Sequence, residues 1–262
     1  MWKLMTASQK SGVILLIFLC AFAYLQPYFY PMDAGFQNLN QVLQKPSALY
    51  WFGTDHFGRD MLSRLASAIR LSFSLIISSV FLALFGGLLL GIWAGYAGGK
   101  VDALLRFCCD IIMALPGLLL VLLFAAIAPN SFLALYLGIA LVMWVEFFRV
   151  IRLLSRSLAT SREVEASRLM GMGLFYCIKR HFLPKLAPVI LTLSAFSAGN
   201  AVLALATLGF INVGLQPPTP ELGLMMTELF PYYYEAPWIL VQPIIAVFLL
   251  VLSFQLISGK VR

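Results

Sequence analysis

Six stretches of this chain are apolar for long enough to cross a bilayer, and nothing else in the sequence constrains the fold as much. A hydrocarbon core of about 30 Å takes roughly 20 apolar helical residues. The stretches at about 11–27, 69–95, 106–128, 131–149, 186–210 and 238–258 all qualify. Composition agrees, with 61% hydrophobic residues and 11% charged, against about 45–50% and 25% in soluble domains. Too few charges remain to cover the outside of a soluble core, and disordered or fibrous chains are not this apolar. The expected fold is therefore all-α: a polytopic membrane protein with six transmembrane helices in one domain spanning 1–262.

The first stretch follows Lys3 and Lys10, and Ala21-Phe22-Ala23 has the look of a secretory cleavage site. Retention is the better reading, because the stretch stays apolar through Tyr24, Leu25, Tyr28 and Phe29. Basic residues then set the orientation. With the N-terminus in the cytoplasm, the inner side holds Lys3, Lys10, Lys100, Arg106, Arg149, Arg152, Arg156, Arg162, Arg168, Lys179, Arg180, Lys185, Lys260 and Arg262. The outer side holds only Lys45, Arg59, Arg64 and Arg70 of the 18. Both termini are expected inside. The net charge of +7 thus records orientation and gives no sign of nucleic-acid binding.

Two long connections face outward, 28–68 and 211–237, and one basic connection, about 150–185, faces the cytoplasm. Within it, Thr160 followed by Glu163 reads as a capping box that starts a short helix over 161–170. Gly171 can supply the left-handed residue that ends it, and Pro184 is expected to block continuation into the next span. Val164, Leu169 and Met170 offer apolar contact, with Glu165 and Arg168 to orient it. By periodicity alone, this elbow could dock onto a protein or lie on anionic lipid.

Glu165-Ala166-Ser167, Gly171 and Leu183-Pro184 resemble the EAA loop of ABC-importer permeases, EAA-x3-G-x9-I-x-L-P. The spacing matches, but Ser167 replaces the third Ala and His181 stands in place of Ile. The resemblance implies a coupling helix, made by Glu165, Ala166, Ser167, Arg168, Gly171, Leu183 and Pro184, that seats on an ATPase subunit.

An outer motif, Gly53-Thr-Asp-His-Phe-Gly-Arg-Asp-Met-Leu-Ser-Arg64, precedes the second span. Physically it is a Gly-bounded turn with Asp55 and Asp60 near Arg59 and Arg64. That suggests a structural ion-pair cluster, built on Gly53, Asp55, Gly58, Arg59 and Asp60, which fixes how the outer segment enters the bilayer. The string GTD-x-x-GRD-x-x-SR also resembles the C-type permeases of dipeptide, oligopeptide and nickel ABC importers. So do Gly95–Asp102, the Arg106/Asp110/Pro116 spacing, Gly214–Glu221 and Ala236–Trp238. The tail, Ser-Gly-Lys-Val-Arg262, departs from that branch, whose members usually continue further.

That likeness implies a type I ABC importer permease fold in the bacterial inner membrane. The implied partners are a B-type permease, two ATP-binding subunits, an extracytoplasmic solute-binding protein and membrane lipids. Cargo would be di- or oligopeptides, nickel or a metal chelate. No cofactor is expected in this chain, since ATP and magnesium would sit on partner subunits.

A solute path needs weakly polar helix faces, and the fifth span offers Ser194, Ser197 and Asn200. Tight packing by small residues explains the same run equally well. Gly87-x-x-x-Gly91-x-x-x-Gly95 in the second span reads as close packing. Asp110 lies near the cytoplasmic boundary, and Glu146, Arg149 and Arg152 crowd the inner end of the fourth span. Without a charged relay at mid-membrane, the alternative of a stand-alone secondary transporter or channel has little support. No phosphate loop, H-E-x-x-H or G-x-S-x-G motif occurs, so no catalytic residue is expected. His56 and His181 fall on opposite sides of the membrane, and Cys20, Cys108, Cys109 and Cys177 lack C-x-x-C spacing, so no metal site is expected either.

Overall fold

The computed structural model describes residues 6–259. Lys3, Lys260 and Arg262, three of the basic residues assigned to the inner side, lie outside them. The described residues form helices α1 (Ala7–Phe29), α2 (Met61–Ala97), α3 (Gly99–Met113), α4 (Gly117–Ile127), α5 (Phe132–Ala159), α6 (Arg162–Leu169), α7 (Leu174–Cys177), α8 (Leu183–Phe210), α9 (Leu222–Leu229) and α10 (Pro237–Ser258). Among them the only β pairing is an isolated bridge between Thr54 and Asp60. Five helices are long and apolar enough to cross a membrane, and the bent α3–α4 pair makes a sixth if it counts as one span. The fold is all-α.

α1 begins with a complete capping box between Thr6 and Gln9. Gln9 Nε2 also donates to the Gly259 carbonyl at 2.7 Å, and a Cβ on Gly12 would lie 2.7 Å from Leu256 Cβ. The start of α1 and the end of α10 therefore meet at one end of the bundle.

The apolar stretch predicted from 69 is the inner part of a longer helix. α2 runs 37 residues, about 55 Å, because Asp60 caps it nine residues before the apolar run by accepting from Ser63 N at 2.7 Å. Hydropathy marks where a helix is greasy, whereas the cap marks where it starts.

α2 packs along α5 through Gly87, Gly91 and Gly95. A Cβ on Gly87 would lie 2.5 Å from Phe147 Cβ, and one on Gly95 would lie 2.7 Å from the Arg152 carbonyl oxygen. Helices in lipid gain most from this kind of backbone approach, since apolar side chains do no better against each other than against lipid tails.

The stretch at 106–128, expected as one straight span, is two helices bent by 77°. Pro116 is the cause: it has no N–H to donate and disfavours helical backbone at Leu115. It becomes the N-cap of α4.

Pro184 does the opposite of what its position predicts. Helical structure runs from Leu174 to Phe210 as one 37-residue span, passing through a π turn at Ile178–Phe182. Leu183 N–H bonds the Ile178 carbonyl five residues back, and this wider turn accommodates the proline ring that a regular α-helix would reject.

Gly87→Leu is expected to cost about 3 kcal/mol by overpacking the α2–α5 contact. Gly173→Ala, where nothing lies within 4 Å of the added carbon, is expected to change little. Thermal unfolding of the two variants in detergent checks this.

Candidate functional site

Three places on the molecule collect the residues singled out by sequence: the elbow after α5, the outer turn before α2, and the face of α8 against α5.

The elbow is α6, Gly171 and α7. The expected capping box at its start does not form. Thr160 Oγ1 donates to the Ser157 carbonyl at 3.1 Å, and Ser161, the N-cap, makes no side-chain cap bond. Glu163 is engaged elsewhere, accepting from Lys185 Nζ at 2.5 Å. The Lys185 ammonium holds the Glu163 carboxyl below the usual carboxylate range. Its stabilisation is therefore present at neutral pH and is lost as pH falls through that lowered value.

Gly171 ends α6 as its sequence predicts. Its φ is +78°, and the bonds Gly171 N to Arg168 O at 2.9 Å and Met172 N to Ser167 O at 3.0 Å form a Schellman cap.

The elbow has a seated side and a free side. Val164, read from sequence as a docking contact, is fully buried and belongs to the core with Cys177, Phe182 and Leu186. Arg168 is exposed but anchored, its guanidinium 4.2 Å over the Tyr96 ring at the end of α2. Leu169 and Met170 are exposed at 84% and 77%, and Phe175, which no local sequence signal marks, at 79%. Glu165, Ala166, Gly171, Leu183 and Pro184 are exposed as well. Ser167 and His181, the two departures from the EAA pattern, touch each other, with Ser167 Oγ and His181 Nε2 2.9 Å apart. The second substitution thus supplies the partner that the first one needs.

The outer turn is built by its glycines. Gly53 and Gly58 have φ of +80° and +69°, and a Cβ would lie 2.4 Å from Gln44 O and 1.9 Å from Asn38 O. No other residue fits either place. The turn brings Asp55 to Arg59 Nε at 2.6 Å and to Arg64 Nε at 3.4 Å. Glu228 of α9 completes the cluster, 2.7 Å from Arg64 and 3.2 Å from Arg59. Both arginines are essentially inaccessible.

Asp60, expected in this cluster, is instead the α2 cap, and it also accepts from Tyr30 OH at 3.0 Å. Tyr30 is the C-cap of α1, so one carboxylate joins two spans. Glu228 was visible in sequence only as one acid on a loop without basic residues. Its pairing depends on a contact 164 residues away. His56 stacks on Tyr232 with ring centroids 5.0 Å apart, and burial lowers its pKa.

Of the three polar residues of α8 expected to line a path, Ser197 is buried and donates to Glu146 Oε2 at 3.0 Å. Asn200 is exposed, and both line a cavity of about 130 Å³ between α4, α5 and α8. Ser194 lies outside that lining, its hydroxyl buried without a partner. Glu146 faces this cavity, whereas the sequence placed it only among boundary charges. Asp110 finds its partner in Arg149 at 2.9 Å. Asp102 takes Arg152, with Nη2 to Oδ2 at 2.6 Å, and lies 3.4 Å from Arg106. Among the described residues, no three His, Cys, Asp or Glu side chains converge on a metal-sized point.

Glu228→Gln is expected to cost about 3 kcal/mol, since it leaves two buried guanidiniums to share one carboxylate. Glu235→Gln, on the same connection but outside every ion pair among the described residues, is expected to be neutral. Denaturation midpoints decide between them. A double-mutant cycle of Ser167→Ala and His181→Leu is expected to show about 1 kcal/mol of coupling, and additive effects would separate the two residues.

Residues 87–261 match the family described as the binding-protein-dependent transport system inner membrane component. The chain is 31% identical over 253 residues to the glutathione transport system permease protein GsiD of Pectobacterium atrosepticum, covering 96% of this chain and 84% of that protein. It is 33% identical to the dipeptide transport system permease protein DppC of Haemophilus influenzae, covering 96% and 87%. With the nickel transport system permease protein NikC of Escherichia coli K12 the identity is 31%, covering 97% and 92%. In structure it resembles a chain of the MetNI methionine ABC transporter in an inward-facing conformation, with a TM-score of 0.56 and 18% identity over 77% of this chain and 98% of that one. That last likeness concerns the fold. The chain belongs to the binding-protein-dependent transport system inner membrane component family: it is a multi-pass permease subunit of a bacterial inner-membrane ABC importer.

Proposed function

We propose that this permease is the C-type half of an importer for small peptides or for nickel or a metal chelate, and that the α6–Gly171–α7 elbow receives the stroke of the ATPase. The observation that carries the reading is the division of the elbow into a seated and a free side. Val164 and Ser167 are buried, and the exposed Arg168 and Glu163 are tied to Tyr96 and Lys185 of this chain. Glu165, Leu169, Met170 and Phe175 project from a surface that nothing among the described residues covers. An exposed apolar tip on a rigid mount is what a partner's groove requires.

The mount leads directly into transport. α7, the π turn and α8 form one continuous span, so a displacement of Phe175 carries to Ser197 and Asn200 without an intervening loop. Coupling of this kind needs a connected element with two positions. Glu165, Ala166, Ser167, Arg168, Gly171, Leu183 and Pro184 are assigned to coupling, and Ser197 and Asn200 to the translocation path. Ser194 is left to packing.

The elbow faces the cytoplasm, both termini lie on that side, and the Asp55–Arg59–Arg64–Glu228 cluster faces outward. Basic-residue bias supports this orientation, and the meeting of α1's start with α10's end supports placing the termini together. The partners are a B-type permease, two ATP-binding subunits and a solute-binding protein. ATP and magnesium are bound by the ATPases, and this chain contributes no catalytic group. Two of the relatives compared above are named for dipeptide and glutathione transport, which favours a peptide cargo over nickel.

In the reconstituted importer, Glu165→Lys is expected to lower ATPase stimulation by the loaded binding protein at least about tenfold. Gly171→Pro is expected to do the same, since proline cannot adopt φ of +78°. Both chains should still insert. Unchanged stimulation in either would remove the elbow from coupling.

A further inference from the structure

α5 carries one carboxylate in a place that its surroundings do not justify. Glu146 follows fourteen uncharged residues of the helix, about 21 Å along the axis from Phe132. Its neighbours in sequence, Phe147 and Phe148, are fully buried. The two acids of α3, the helix bordering that end of α5, each have a cation: Asp102 has Arg152 and Arg106, and Asp110 has Arg149. Among the described residues no basic group lies within 4.0 Å of Glu146. Its recorded partner is the Ser197 hydroxyl, a single neutral donor to a single oxygen. A carboxylate in an apolar span is costly unless something compensates it, and such groups mark solute or ion pathways.

The cavity beside it shows what could compensate it. Gly117, Val121, Met143 and Ala201 make an apolar wall, and Glu146, Ser197 and Asn200 are the polar members of the lining. All three carry acceptor oxygens, and only the carboxylate is charged, so the site suits a positively charged donor. Its volume of about 130 Å³ is that of about four waters. A whole dipeptide does not fit, but a primary ammonium group does, and so does a metal ion with part of its water shell. The cavity is also reachable, since Asn200 and Leu118 of its lining are exposed on this chain.

We infer that Glu146, assisted by Ser197 and Asn200, is a transient cation site that receives the positively charged group of the cargo during translocation. The inference rests on the assignment of Ser197 and Asn200 to the path. It adds the charge class of what passes: an amino-terminal ammonium or a divalent metal ion. Because the site holds only one charge, binding stays weak enough to release, as a conducting site requires. Asn200 acts as a positioning residue at the mouth, and Ser197 orients the carboxylate.

The test is protection of Glu146 from a hydrophobic carbodiimide in the purified complete importer, read by mass spectrometry of the modified peptide. Glu146→Gln identifies the adduct. Nickel chloride, dialanine, N-acetyl-dialanine and an ionic-strength match of potassium chloride are the probes. Protection of at least about tenfold is expected from dialanine or from nickel, and none from N-acetyl-dialanine or potassium chloride. Protection by dialanine alone identifies the ammonium as the source, and protection by nickel alone the metal. Asn200→Leu is expected to weaken protection while leaving Glu146 reactive, which a purely structural carboxylate would not show. A Glu146 that never reacts, or that reacts equally with every probe, overturns the site. Failure of the permease reading is seen separately, as an ATPase that does not respond to the loaded binding protein.

Discussion

The line along which α2 and α5 touch sets the position of everything else. Three glycines, one turn apart, let the two backbones approach as closely as helices can. That contact fixes the axis of α5, and α5 does two jobs along its length. Partway along it presents Glu146 to α8. Beyond the apolar stretch it continues to Ala159 and becomes the post on which the elbow stands. α2 closes the frame at the same end, where Tyr96 lies under Arg168. A small displacement of the elbow is therefore resisted by two long helices and taken up by the third element it joins, the span leading into α8.

Charge in this chain follows one rule, that a buried ion must have a counter-ion. The outer end satisfies it with two arginines between two carboxylates contributed by distant parts of the sequence. The inner end satisfies it with Asp102 among three arginines. Both clusters stand where α2 begins or ends, so they hold the long helix at each end as well as neutralising themselves. Asp60 and Glu221, both buried, take backbone N–H donors at helix starts in place of a cation; half-buried Glu146 has neither, and it lies between the clusters, on the face where the helices leave a cavity.

Much of this was legible in the sequence because its signals are local. Most of the spans, the left-handed Gly171 and the glycine contact follow from runs, spacings and one-residue preferences. What stayed hidden depends on partners far along the chain. Thr160 and Glu163 spell a capping box, but Lys185, 22 residues on, binds the glutamate first. Val164 looks like a docking residue until Phe182 and Leu186 fold into the same core. Pro184 signals a break, and only the π turn before it shows how a proline is carried through. Proline gave opposite outcomes at two sites for a physical reason: at Leu115-Pro116 no wider turn precedes it, and the helix bends by 77°. Of the residues lining the cavity beside α8, polarity singled out Ser197 and Asn200, while the carboxylate beside them was hidden by its nearness to Arg149 and Arg152.

The central claim is mechanical: the free tip of the elbow sits in the ATPase. A photo-crosslinking amino acid placed at Leu169 in the assembled importer measures this directly, with the same probe at Tyr28, an exposed residue at the far end of α1, for comparison. The account predicts that the Leu169 probe joins this chain to an ATP-binding subunit and that the Tyr28 probe does not. Cross-linking from Tyr28 to the ATPase, or from Leu169 only to lipid, would contradict it.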